Sequence, residues 1–106
     1  MEVFDFNKIK AYPYAKRDKN ILYSERNFKV RIIELPPKGK MPECEMNSNV
    51  VFFIIEGDAQ VKINDEQESI TKGQCLITKP STLSITTQSG VKIMAIQIDA
   101  ASMEKG

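Results

Sequence analysis

Turn-forming residues interrupt this sequence about every 8 to 12 residues from position 28 onward, and no segment keeps a helical period over about ten residues. The segments between the turns are rich in β-branched and aromatic side chains. Short strands fit between such turns, whereas helices need a longer uninterrupted run. The pattern predicts about six to eight strands in a single all-β sandwich or barrel.

Two segments carry the strongest strand signals. In 28–35, apolar residues on one side alternate with Lys29 and Arg31 on the other, which is typical of a half-buried strand. The segment 49–57 contains a continuous apolar run, so we expect a strand buried on both faces at the centre of the core. Between them, 36–43 holds three prolines and a glycine, which predicts a rigid loop through which no strand continues.

The rest of the chain is divided by the same reasoning. A turn at Gly57-Asp58 is expected to end the apolar strand. The other predicted strands are 59–63, two short segments within 69–80 that separate at Gly73, 82–87 and 91–99. A chain of 106 residues fits one domain. We predict an N-terminal arm with an edge strand over 1–27, a barrel over 28–99 and a polar tail over 100–106.

The charge balance argues against a nucleic-acid partner. Fifteen Lys and Arg residues face fourteen Asp and Glu residues, so the net charge of +1 provides no field that attracts a phosphate backbone. The basic run 8–19 contains two tyrosines that could stack on bases, but a solvated arm is the preferred interpretation.

Neither a membrane nor an oxidising compartment is indicated. No apolar run approaches the roughly 20 residues that span a bilayer, and the N-terminus lacks the basic-then-apolar order of a secretory signal. We therefore expect a cytoplasmic protein. Cys44 and Cys75 are too far apart in sequence for a C-x-x-C motif, so both are predicted to be reduced thiols.

Two stretches resemble the two sequence motifs of the cupin superfamily in its small single-domain form. They are LPPKGKMPECEMNSNVVFFIIEGDAQVKI and ITKGQCLITKPSTLSITT, and the resemblance covers about residues 28–98. It rests on Pro-Pro-x-Gly before the loop, Glu56-Gly57 after the apolar strand, and Gly73 followed by Pro80. The resemblance implies a cupin-like double-stranded β-helix, that is, a jelly-roll barrel.

In cupin enzymes, three histidines and one glutamate of these motifs hold a divalent metal inside the barrel. Counting from Gly57 and Gly73, the resemblance places those four positions on Cys44, Met46, Val50 and Ser84. Other ways of counting give other positions. If the loop is one residue longer, the first two histidine positions fall on Glu43 and Glu45, and counting from Gly39 places them on Glu45 and Asn47. In the second motif, counting from Pro80 places the last histidine position on Ile85. The chain contains no histidine. Because valine has no lone pair and serine and thioether are weak ligands, we expect no metal and no other cofactor.

An unusual metal or reactive centre at Glu43, Cys44 and Glu45 is the sharper alternative for this loop. Successive residues of a strand point to opposite faces, so the two acids share one face and Cys44 takes the other. Neighbouring carboxylates are also expected to raise the pKa of the Cys44 thiol. The preferred interpretation is a small thiol that faces the lumen between two solvated acids.

The strand 82–87 has two possible orientations. If Ser84 faces the lumen, Leu83 and Ile85 point outward and need the cover of a second subunit, so a homodimer is expected. If Ile85 faces inward, the strand is an ordinary half-buried one.

These observations predict a metal-free, non-catalytic domain that binds a small, largely apolar molecule in the lumen at Cys44, Met46, Val50 and Ser84. Without histidine there is no Ser-His or Cys-His pair, so no catalytic residue is assigned. One alternative is a small cupin enzyme, either a metal-independent isomerase type or one with a metal at Glu43, Cys44 and Glu45. Another is a protein-interaction or dimerisation module with a filled barrel. The enzyme predicts a charged group in the lumen, the binding domain predicts none, and the filled barrel predicts a closed lumen.

Overall fold

The computed structural model describes residues 1–99, and most of them lie in antiparallel strands. A 3-10 helix, Tyr14–Asn20, precedes them. The strands are β1 (Ile21–Ser24), β2 (Phe28–Leu35), β3 (Lys40–Met46), β4 (Asn49–Ile63), β5 (Glu66–Thr71), β6 (Cys75–Thr78), β7 (Ser81–Thr86) and β8 (Val91–Ile98). No helix within residues 1–99 is long and apolar enough to cross a membrane. The tail predicted over 100–106 lies outside the described residues, and the three-part division of the chain stays a prediction.

The barrel is built around β4. The sheet follows the order β1-β2-β8-β4-β7-β3, with β5 and β6 also paired to β4. The first part of β4 pairs with β8 and β6, and its second part pairs with β7 and β5. One long strand therefore takes part in both halves of a curled antiparallel sheet. The predicted all-β jelly-roll barrel is confirmed, as is the central position of the apolar strand.

The turn predicted at Gly57-Asp58 is wrong, because β4 continues through it. The pairing with β8 shifts register between Ile54 and Glu56, and Gly57 has a φ of +82°. A bulge and a left-handed glycine bend a strand without ending it. The chain therefore passes from one half of the barrel to the other at this position.

The loop predicted over 36–43 is shorter than expected, because β2 ends at Leu35 as predicted but β3 begins at Lys40 and contains Pro42. β3 lies at the end of the strand order, and its pairing with β7 shifts register between Met41 and Cys44. A proline is tolerated at a bulge in an edge strand, where no ladder hydrogen bond needs its missing N–H. The bulge also places Met41 and Cys44 on the same, inner face although they are three residues apart.

The strand β2 is covered on both faces, which differs from the half-buried strand that its alternation predicts. Ile32 is 1% exposed on one face, while Leu35 is 5% exposed on the other and belongs to the core. Arg31 pairs with the buried Ala95 and shares its parity with Ile33 and Leu35. Arg31 therefore faces the inside of the barrel, and its predicted position on a solvent face is wrong. The prediction that the apolar strand is buried on both faces is wrong for most of β4, because Val50, Phe52 and Ile54 are at most 1% exposed whereas Val51, Phe53 and Ile55 on the other face are only half-buried.

The orientation of β7 is settled by Leu83 and Ile85, which are 1% and 0% exposed. Ile85 pairs with the equally buried Val61, and Ser84 pairs with the exposed Lys62. Ser84 therefore lies on the outer face, and its predicted place in the lumen is wrong. The homodimer stays a prediction, but β7 no longer supports it because Leu83 and Ile85 need no cover from a second subunit.

Candidate functional site

The barrel contains a cavity of about 220 Å³ between β2, β3, β4, β8 and the N-terminal segment. Cys44, Met46 and Val50 line it, so the structure brings three of the four predicted site residues together. These three residues lie on the inner faces of β3 and β4, which is where the register of the first motif places them. The fourth, Ser84, does not line the cavity because its side chain is on the outer face of β7.

The cavity walls are mainly apolar, but two buried polar atoms interrupt them. Arg31 Nε and Gln97 Oε1 are buried without a hydrogen-bond partner among residues 1–99, and both side chains line the cavity. The expectation that the lumen holds no charged group is therefore wrong. The sequence signal was present in β2, where Arg31 has the same parity as Ile33 and Leu35. The alternation alone predicts one apolar face and one solvated face, and it does not show that β2 is covered on both.

The N-terminal segment closes one side of the cavity. Tyr12, Tyr14, Arg17 and Asn20 line it there. The Asn20 side chain, which is 6% exposed, holds the segment in place. Tyr12 N donates to Asn20 Oδ1 at 2.8 Å, and Asn20 Nδ2 donates to Tyr12 O at 3.0 Å. The Arg17 guanidinium lies over the Tyr14 ring, 4.5 Å from its centroid. The residues predicted to form a solvated arm thus contribute to the site.

The thiol of Cys44 lies in the cavity wall and is less acidic than a free cysteine. Burial raises the pKa of the Cys44 thiol, and the positive charge of Arg17 opposes this in part. The neighbouring acids are not the cause, because Glu43 and Glu45 are exposed on the opposite face of β3. The raised pKa argues against an activated nucleophile at Cys44, and its physical reason is desolvation of the thiolate rather than the neighbouring carboxylates.

We expect Cys44 to react with a thiol reagent at least about tenfold more slowly than Cys75 at neutral pH, since Cys44 has a raised pKa and Cys75 is exposed. The Cys75→Ser variant reports Cys44 alone, and the Cys44→Ser variant reports Cys75. Below its pKa, the Cys44 rate should rise about tenfold per pH unit as the thiolate forms. Absorbance at the reagent's product band measures both rates, and equal rates at neutral pH would contradict the burial of Cys44.

The residues at the family's metal position do not fit a metal. Within residues 1–99, no group of three or more His, Cys, Asp or Glu side chains could hold an ion. Glu43 and Glu45 are exposed on the face of β3 opposite to Cys44, so the three side chains of the alternative metal centre do not converge. Cys44, Met46 and Val50 offer a protonated thiol, a thioether and a hydrocarbon, which are poor donors for hard or borderline ions.

This antiparallel jelly-roll barrel with an inner cavity can be compared with the folds of known proteins. No protein-family model and no curated protein matches the sequence. Solved structures do match. A Thermus thermophilus protein superposes with a TM-score of 0.80 at 16% identity over 93% of this chain and 98% of its own. The cupin domain of Schizosaccharomyces pombe Cnp3 gives 0.71 at 19% identity, over 80% of this chain and 66% of its own.

A cupin superfamily protein from Desulfitobacterium hafniense gives a TM-score of 0.69 at 14% identity, over 74% of this chain and 72% of its own. The chain therefore has the cupin fold, as its two motifs predict. Identities of this size establish the fold and not an activity.

Proposed function

We propose that this protein binds a small molecule in the lumen of its cupin barrel, without a metal, and acts as a binding domain. The observation that carries the proposal is the cavity of about 220 Å³ lined by Cys44, Met46 and Val50. These are the positions where the resemblance to cupin enzymes would place metal ligands. Ligand sites are typically concave and apolar with a few polar groups, which is the character of this cavity.

The alternatives are less well supported by the same residues. A filled barrel would leave no such cavity. The enzyme alternative predicts a charged group in the lumen, and Arg31 is one. A guanidinium stays protonated in proteins, however, so it binds and orients an anion better than it transfers a proton.

A thermal-shift screen of small molecules on the full chain tests the proposal. A ligand present at about 100 times its Kd stabilises the folded state by about 2.7 kcal/mol, which corresponds to a rise in Tm of roughly 10 °C or more for a domain of this size. The Met46→Trp variant places bulk in the cavity and should lose the shift. The Ser84→Trp variant places the same side chain on the outer face and should keep it.

Two results would contradict the proposal. One is a shift that survives in Met46→Trp, because the ligand would then bind elsewhere. The other is a stoichiometric transition metal in protein purified without an affinity tag.

A further inference from the structure

The two unpartnered atoms of the cavity have complementary hydrogen-bonding chemistry. Arg31 Nε is a donor on a cationic group, and Gln97 Oε1 is an acceptor. Buried polar atoms nearly always have partners, because each unmade hydrogen bond destabilises the folded protein. A cavity that leaves one donor and one acceptor unpaired is suited to a ligand that supplies one acceptor and one donor.

The two arginines of the cavity have no carboxylate partner within the part of the chain that the structure describes. Among residues 1–99, the ion pairs are Lys8 with Asp5 and Lys72 with Glu56, and none involves Arg31 or Arg17. The acidic residue at the cavity is Glu34, which is exposed and accepts a hydrogen bond from Ala11 N at 3.2 Å. A half-buried arginine whose Nε is buried and unpaired, and which has no carboxylate partner, favours an anionic ligand group.

We propose, building on the lumen binding proposed above, that the ligand is a small carboxylate that carries a neighbouring hydroxyl group and a short apolar chain. The carboxylate accepts a hydrogen bond from Arg31, and the hydroxyl group donates one to Gln97 Oε1. The apolar chain packs on Met46, Val50 and Phe52, which line the same cavity. The volume of about 220 Å³ lies below the range of about 300–1,000 Å³ that holds drug-sized molecules, so the chain must be short.

The test uses three probes of nearly equal size on the full chain, titrated by NMR to millimolar concentration. They are 2-hydroxyisocaproate, its neutral amide, and 4-methylpentanoate, which lacks the hydroxyl group. We expect the hydroxy acid to bind at least about tenfold more tightly than the amide, since the amide cannot form the charge-assisted hydrogen bond. We expect it also to bind more tightly than 4-methylpentanoate, because a site built for a hydroxyl group rejects an analogue that leaves its acceptor unpaired.

The Arg31→Met variant separates a binding role from a structural one. It should raise the Kd of the hydroxy acid at least about tenfold, to the level of the amide. Its Tm should be unchanged or higher, because the substitution removes a buried donor that has no partner. A purely structural arginine would lower the Tm. Arg26→Met, at an exposed arginine between β1 and β2, is the matched control and should change neither quantity. Gln97→Leu should remove the preference for the hydroxyl group and keep that for the acid.

The outcomes separate this inference from the proposal on which it rests. Equal binding of acid and amide, with no effect of Arg31→Met, overturns the anionic ligand and leaves lumen binding intact. A cavity ligand from the thermal-shift screen, with no binding of any of the three probes, also overturns the hydroxy-acid class. Failure of both the probes and the screen overturns lumen binding itself. If Arg31→Met does not fold, the comparison of acid and amide on the unmodified chain decides.

Discussion

Gly57→Ala is expected to lower the free energy of unfolding by at least about 3 kcal/mol, or to prevent folding altogether. Gly57 lies at the bend of β4 with a φ of +82°. A Cβ at this position would lie 2.1 Å from Gly90 O and 3.0 Å from Val91 Cα. These are backbone atoms at the start of β8, and Gly57 and Val91 are cross-strand partners. The clash can be relieved only by separating the two central strands of the barrel.

Gly73→Ala is the matched control for this prediction. Gly73 has almost the same φ, +86°, but a Cβ there would meet no atom within 4 Å. Gly73→Ala should therefore lower the free energy of unfolding only by the strain of the left-handed φ, about 1–2 kcal/mol. Urea unfolding of both variants gives the two free energies at comparable m-values. Equal losses would mean that Gly57 is needed for its φ alone and that the close approach of β4 to β8 does not constrain the barrel.

The glycine pair also shows how far the sequence predicts this fold. A glycine between an apolar and an alternating segment predicts from the local sequence that the chain changes direction. The chain does change direction at Gly57. Whether the chain turns or bends depends on the partners of the strand, which lie far away in sequence. Local alternation does identify the extent of β2 and β8 and a strand on either side of Gly73, although β5 begins at Glu66, before the predicted segment 69–80.

The site was predictable where a motif fixed the register. Cys44, Met46 and Val50 follow from the first motif, and all three line the cavity. In the second motif, the two possible anchors differed by one residue, and a shift of one residue moves a side chain to the opposite face of the sheet. The prediction of Ser84 in the lumen is wrong for this reason, and Ile85 occupies the inner face instead.

Other parts of the site could not be placed from the local sequence alone. Tyr12 and Asn20 lie in a segment without a period, and their mutual hydrogen bonds depend on the tertiary position of the 3-10 helix. Arg31 follows a period of two, but the period alone does not say which face of a strand is covered when both are. Its burial depends on β8, more than sixty residues away in sequence.

Ile85→Ala is expected to lower the free energy of unfolding by about 2–5 kcal/mol, whereas Ser84→Ala should change it by no more than about 0.5 kcal/mol. Ile85 is 0% exposed and lies between Met41 of β3 and Val61 of β4, so truncation leaves a cavity where three strands meet. Ser84 is on the outer face beside the exposed Lys62 and takes part in none of these contacts. Urea unfolding of both variants measures the difference. Similar losses, or a larger loss for Ser84→Ala, would mean that β7 is turned over and that Ser84 belongs to the lumen after all.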